Sequence, residues 1–486
     1  MSTLITEPAS PEEARDPGEV NRVDSAPPSP KRAPRNWFAA FWRWHFYAAI
    51  LVIPALLVLS LSGLVMLYKA QIDPLFHPGV IEVAVPAGAS RVPLSEQQAA
   101  VAAAYPKREI VSLTEGSGGT ATIFATQVGD GLRNVYVDPF TAKVTGDLVP
   151  LDLPSNIASD WHKNFTNTQF GGIAMELAAC WAIVMAITGY YLFFKGRRLR
   201  LKKLARKARG ALTAATHSWV GLFIGLGILF LVVSGLPWTQ VWGTAVQNWA
   251  GGHGLSLWGQ DPGAKSTLGE TLKKTDGTTN EPGWAISQGT VPTSGVDSNG
   301  RISVDVAATA AKADGVPGPY FISYPDGKTG VYSVLGDQWH DPSNPAYNDV
   351  SLEAAAHVDQ YSGKVVATYT YNDYSIVAKT VSQGIAIHEG RRFGALSSFL
   401  TTMFCLGVLF LCISAPIMWW KRRKGQKGIV APKGRMPVYT SWGLAAVLVV
   451  LGVVLPVFGI SLIVILLVDA LVIRRVPALR RALNVE

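Results

Sequence analysis

Charge is what this sequence has least of: only 16% of its 486 residues are Asp, Glu, Lys or Arg. A soluble protein of ordinary composition carries about 25%, and here the deficit is matched by a hydrophobic share of 49%. A water-soluble globule is thereby excluded as the whole of the chain, and membrane lipid becomes its first expected partner. Cysteine is nearly absent. Cys180, Cys405 and Cys412 all lie in apolar runs, so neither a disulfide framework nor a paired-cysteine metal site is available. No glycine fingerprint of a dinucleotide-binding fold occurs, so the chain is not expected to carry its own NAD(P)H or flavin domain. The formal net charge is +9. Its basic residues crowd into short stretches beside apolar runs, which argues for membrane topology and for no nucleic acid partner.

What is present in quantity is apolar sequence of spanning length. Six runs qualify, at about 45–68, 172–194, 217–240, 395–420, 439–455 and 457–474. Lys31, Arg32 and Arg35 precede the first; Lys195, Arg197, Arg198 and six further Lys or Arg separate the second from the third. Lys421, Arg422, Arg423 and Lys424 follow the fourth, and Arg474 and Arg475 follow the sixth. All fall on one side if the N-terminus is cytoplasmic. Residues 1–36, rich in Pro, Ser and acidic residues, are expected to be a disordered cytoplasmic tail, with the first run acting as an uncleaved signal anchor. Spans are then expected at 37–69, 161–195, 215–240 and 387–420, with a hairpin at 439–474 that turns at Leu455-Pro456. Basic cytoplasmic loops fall at 196–214 and 421–438, and a cytoplasmic tail at 475–486. Two long outward segments remain, 70–160 and 241–386. Each mixes alternating strand-like patterns with a helical stretch, so small α+β domains are predicted, with an irregular stretch around 260–300. The predicted fold class is an α-helical integral membrane protein with six transmembrane helices and two extracytoplasmic α+β domains.

The chain repeats itself. Val137-Asp138-Pro139-Phe140-Thr141-Ala142-Lys143-Val144 matches Val358-Asp359-Gln360-Tyr361-Ser362-Gly363-Lys364-Val365 as strand, tight turn and next strand. His45 precedes Ser62-Gly63 by 17 residues, and His217 precedes Ser234-Gly235 by the same 17. His162 precedes Thr188-Gly189 by 26 residues, as His388 precedes Ser414-Ala415. The order helix–domain–helix therefore occurs twice.

VDPFTAKV and VDQYSGKV resemble the end of the PepSY domain. The helices with a leading histidine and a closing Ser/Thr-Gly resemble the PepSY-associated transmembrane family of iron-regulated bacterial membrane proteins, over roughly residues 37–424. That resemblance implies two PepSY-like outer domains and a place in the bacterial plasma membrane. It also implies an activity like that of a haem-containing reductase of ferric siderophores, with a ferric siderophore or similar ferric chelate as the acceptor.

The histidines carry a chemical reading of their own. His45 and His217 lie past the basic clusters inside the cytoplasmic leaflet, and His162 and His388 lie at the outward ends of the second and fourth spans. A polar side chain at such a depth needs a partner. Two facing imidazoles suit the axial positions of a six-coordinate haem b iron, so one or two haems are expected, held by His45/His217 and His162/His388. Lys163, Arg391 and Arg392 stand beside the outer pair as partners for propionates. Gly63, Gly221, Gly225 and Gly235 offer close helix approach or room for a macrocycle. Covalent attachment is excluded, since no C-x-x-C-H occurs. The alternative is that the same histidines are helix-packing polar groups. Trp37, Trp42 and Trp44 read as an interfacial belt. Glu176 reads as a functional acid or one that snorkels to the interface. Asp469 is expected to pair with Arg474 or Arg475, and His77, His253, His340 and His357 are expected to be solvent-exposed.

The expected function is transmembrane electron transfer by a membrane haem b oxidoreductase, with an unknown cytoplasmic or quinol electron donor. The rival is a non-enzymatic protein whose PepSY-like domains bind a peptide, protease or envelope component. A transporter is disfavoured by the near absence of charge at the bilayer midplane.

Overall fold

Apolar sequence and the breaks within it set the elements of a computed structural model, which describes residues 37–129, 131–165, 168–252, 292–295, 300–337, 341–423, 429 and 442–483. The first half runs α1 (Trp37–Leu67), α2 (Lys69–Phe76), α3 (Leu94–Ala104), β1 (Glu109–Thr114), β2 (Thr122–Val128), β3 (Gly131–Val137), β4 (Val144–Leu148), α4 (Pro154–Asn164) and α5 (Gln169–Lys195). A short basic helix, α6 (Arg197–Ala205), leads to the second half. That half repeats the order: α7 (Ala211–Gly235), α8 (Trp242–Gly252), α9 (Val304–Ala313), β5 (Tyr320–Ser323), β6 (Val331–Gly336), β7 (Ala354–Asp359), β8 (Val365–Thr370), α10 (Ile376–His388) and α11 (Ala395–Arg423). The described chain ends with α12 (Trp442–Val454), α13 (Pro456–Val468) and α14 (Pro477–Ala482). The tail at 1–36, His253, His340 and most of the stretch around 260–300 lie outside the described residues.

Five helices are long and apolar enough to cross a membrane: Trp37–Leu67, Gln169–Lys195, Ala211–Trp238, Ala395–Arg423 and Pro456–Ile473. The chain is a multi-pass membrane protein. Of the six expected spans, the fifth falls short among the described residues. Its helix α12 has 13 residues, about 20 Å at 1.5 Å per residue, against a hydrocarbon core of about 30 Å. The hairpin turn is where Pro456 predicted it. Leu455 leaves the helical region at φ −120° and ψ 84°, and Pro456, whose missing N–H costs nothing at a first turn, opens α13.

Helices α1, α5, α7 and α11 form a ring. Each of α1 and α7 packs on both α5 and α11, so α1 and α7 stand diagonally opposite. The core between them is built from Val52, Leu56, Cys180, Val184, Ile228, Val408 and Cys412. Here the cysteines act as small apolar fillers. Trp44 departs from the belt expected of it: it is buried and meets Trp181 edge-on at 6.2 Å. Trp181 in turn touches Phe458 of α13 and donates from Nε1 to Ser461 Oγ at 3.1 Å, which holds the terminal hairpin against α5. Glu176 does not snorkel. Fully buried, it accepts from the backbone N–H groups of Val241 (2.8 Å) and Trp242 (3.1 Å) at the start of α8. Asp469 accepts from Arg474 Nε at 3.0 Å.

At one end of the ring the strands make one antiparallel sheet of eight, in the order β4-β3-β2-β1-β5-β6-β7-β8. The two expected domains therefore share a single sheet. The join is β1 against β5, with Ser112 opposite Ser323 and Leu113 opposite Ile322. An edge strand left open in either half would expose a row of unpaired backbone groups, and pairing the two edges removes both. One apolar core runs beneath the whole sheet, from Val101, Phe124 and Val135 of the first half to Ala307, Val334 and Ala356 of the second. Helix α3 has no side-chain cap of its own. Asp305 of α9 supplies it across the join, accepting from Leu94 N at 2.7 Å and Ser95 N at 3.1 Å. The opposite face buries Phe321, Leu335 and Ala355 against Tyr374 and Ala378, which fastens α10 to the sheet.

Candidate functional site

Two spans were expected to continue outward as single helices through 161–195 and 387–420. Both break instead. After α4, Phe165 turns left-handed at φ +56°, and Thr168 caps α5 by accepting from Gly171 N at 3.0 Å. After α10, Gly390 and Gly394 take φ +71° and +58° before α11 begins. Leu153 holds the cap position of α4, while Ser155 donates from its backbone N–H and its hydroxyl to Asp73. The breaks let α4 pack along α1, and α10 along α7, so each carries its histidine to the neighbouring helix.

All four repeat histidines are half-buried, and each reaches a hydroxyl on a long helix of its own half. His45 Nδ1 lies 2.9 Å from Met185 O and 3.2 Å from Thr188 Oγ1. His162 Nδ1 lies 2.9 Å from Ser62 Oγ. In the second half His217 Nδ1 is 2.7 Å from Ser414 Oγ, and His388 Nδ1 is 2.8 Å from Ser234 Oγ. The hydroxyl is thus the residue that ended each repeat spacing in the sequence. The glycine beside it lies against the imidazole, and only at Gly189 would a Cβ be tight. A Cβ at Gly63 would sit 3.4 Å from His162 Cε1, one at Gly189 3.2 Å from His45 Cε1, and one at Gly235 3.6 Å from His388 Cε1. By contrast Gly225 gives no room to a ligand, because the Tyr190 ring fills the space above it.

The histidines also gather across the two halves. The rings of His162 and His388 have centroids 6.3 Å apart at 81° to one another. Burial, then the neighbouring His388 and Lys163, push His162 down to about 3; burial also pushes His388 down. Both imidazoles are therefore neutral at pH 7, the form in which histidine is a ligand. His45 and His217 stand on the diagonal helices α1 and α7. The two pairs occupy different depths: 17 residues of helix separate His45 from Ser62, about 25 Å at 1.5 Å per residue.

Cations flank the outer pair unequally. Lys163 adjoins His162 on α4. Arg391 is only 2% exposed; its Nε donates to Glu389 Oε2 at 2.6 Å, its Nη1 donates to Tyr347 O, and its Nη2 is buried with no hydrogen-bond partner among the described residues. A buried unsatisfied guanidinium nitrogen is costly and marks a place for an acceptor such as a carboxylate. Arg392 is engaged elsewhere, donating to Gln383 Oε1 at 2.6 Å and Asn348 O at 3.0 Å. The neighbouring neutral imidazoles of His162 and His388, a buried guanidinium nitrogen and apolar helix faces are groups whose chemistry fits haem b.

Of the other histidines, the two that are described, His357 and His77, differ from expectation. His357 is buried in β7 with Nδ1 2.9 Å from Ser333 Oγ, and burial lowers it to about 4. His77 is half-buried beside Asp152 O at 3.1 Å. A buried carboxyl went unforeseen: Glu353 takes Ser382 Oγ of α10 on both oxygens, at 2.7 and 2.8 Å. Alternation in a strand marks which side a residue faces, and nothing in the sequence around Glu353 signals its burial.

A family model described as the PepSY-associated TM region matches residues 42–422, a span that contains all four histidines and their hydroxyl partners. No curated protein matches the chain.

Proposed function

Because the chain belongs to the PepSY-associated TM region family, we propose that it moves electrons across the bacterial plasma membrane through haem b held by its two histidine pairs. The observation that carries this reading is the duplicated set of hydroxyl-anchored imidazoles at two depths of one helix ring. When bound, haem b supplies one-electron exchange between Fe(III) and Fe(II). His162 and His388 would hold one group at the sheet end, with Lys163 and the free Nη2 of Arg391 meeting its propionates. His45 and His217 would hold the other toward the end that carries α6 and the Lys421-Arg422-Arg423 cluster. On the positive-inside rule we take that basic end, and the N-terminus, as cytoplasmic, where a soluble donor or a quinol would deliver electrons.

The sheet then faces outward, and its acceptor is a ferric siderophore or similar ferric chelate. Reduction to Fe(II) weakens binding by hard oxygen ligands and frees the metal. The test is purification in detergent, a visible spectrum, and a ferric-chelate reduction assay of wild type and His388→Ala. Loss of the outer haem and of chelate reduction, with the inner haem retained, is expected. A haem-free wild-type protein would instead favour the PepSY-like sheet as a non-enzymatic binding module.

A further inference from the structure

A hydroxyl has one proton to donate, and in all four cradles it has a place for it on its own helix. Ser62 Oγ donates to Val58 O at 2.6 Å and Thr188 Oγ1 to Val184 O at 2.8 Å. Ser234 Oγ donates to Leu231 O, and Ser414 Oγ to Leu411 O, both at 3.2 Å. With its proton directed back along the helix, each hydroxyl faces the imidazole Nδ1 with oxygen lone pairs only. Nδ1 must then carry the hydrogen. His45 confirms the direction independently, since its Nδ1 also touches the Met185 carbonyl, which can only accept.

We infer that Ser62, Thr188, Ser234 and Ser414 are positioning residues that hold each histidine as the Nδ1–H tautomer, leaving Nε2 with a bare lone pair for a metal. Neutral imidazole in water favours no such arrangement strongly enough to fix four rings at once, so the hydroxyl selects the tautomer. At Gly189 a Cβ would crowd the His45 ring at 3.2 Å, whereas at Gly63 and Gly235 it would stand in ordinary contact with His162 and His388. Ala415 holds the corresponding position beside Ser414. In metal proteins a partner of this kind also raises ligand basicity and fixes ring orientation. The consequence for ligation rests on the haem reading above; the tautomer does not.

The full-length protein in nanodiscs gives separate tests of the two. In 15N-histidine-labelled protein freed of haem, the signal of His388, assigned with His388→Gln, should show a protonated Nδ1 and an unprotonated Nε2. In haem-loaded protein, Ser234→Ala should weaken binding at the outer pair by about 10–100-fold and shift its midpoint potential. Ser234→Thr, which keeps the hydroxyl, should restore both. An Nε2-protonated His388 overturns the inference, as does a Ser234→Ala protein whose outer haem affinity and potential match wild type. Wild-type protein that shows the Nδ1–H tautomer but takes up no haem would overturn the haem reading and leave the tautomer assignment standing.

Discussion

Ala142 and Gly363 occupy one position in the duplicated strand-turn-strand, and both take positive φ, +54° and +69°. The turn is drawn together by the preceding aspartate. Asp138 accepts from Phe140 N and Thr141 Oγ1, and Asp359 from Tyr361 N and Ser362 N. Glycine adopts the left-handed region freely, whereas alanine there is strained by about 1–2 kcal/mol. Ala142→Gly should therefore stabilise the sheet end by about 0.5–1 kcal/mol after the added freedom of the unfolded chain is counted. Gly363→Ala should destabilise it by at least about 1 kcal/mol, because the new Cβ would also stand 3.1 Å from Val306 Cγ1. Thermal unfolding of the detergent-solubilised protein measures both, and equal shifts of one sign would contradict the account. At this scale the sequence was informative: the spacings of 17 and 26 residues picked out both the histidines and the hydroxyls that hold them. It did not say that each hydroxyl serves the histidine of the other spacing, because that follows from how α4 and α10 fold back.

Among elements, α10 couples the sheet to the outer histidine. Its Ser382 binds Glu353, its Ala378 enters the sheet core, and its last residue is His388. Burial pushes the Glu353 carboxyl up to about 7, against the opposing pull of Ser382, Arg391 and Tyr374. A carboxyl raised in the folded state holds its proton there while the unfolded chain has released it. The contribution is thus complete below about 4.5 and lost as pH rises through about 7, a swing on the order of 3 kcal/mol. Glu353→Gln should remove this slope, so that wild type loses stability relative to the variant between pH 5 and pH 8 in a melting series. Parallel curves would show that Glu353 is already ionised in the fold. The spans themselves were readable from hydropathy and the hairpin turn from Pro456. The breaks at Phe165 and Gly390 were not, although polar residues cross both joints: a phenylalanine gives no local sign of left-handed backbone, and the leading histidines suggested helices that run on through them.

For the whole molecule, duplication was legible but its consequence was not. Repeat spacing shows two copies of a unit, whereas the pairing of β1 with β5 is a contact between residues some two hundred positions apart. It joins one edge strand of each half-sheet to the other. Residues 70–160 expressed alone would lose that pairing, the Asp305 cap on α3 and half of the shared core. They should remain unfolded or aggregate, as dispersion in an amide NMR spectrum would report; a well-dispersed spectrum would make the halves independent domains. The larger claim is that the same duplication builds two haem sites, each completed by one histidine from either half. An optical redox titration of purified wild type, His217→Ala and His388→Ala tests it most directly. The account predicts two b-type transitions in wild type, with each variant losing a different one. Absence of haem from the wild type, or both transitions persisting in either variant, would contradict it.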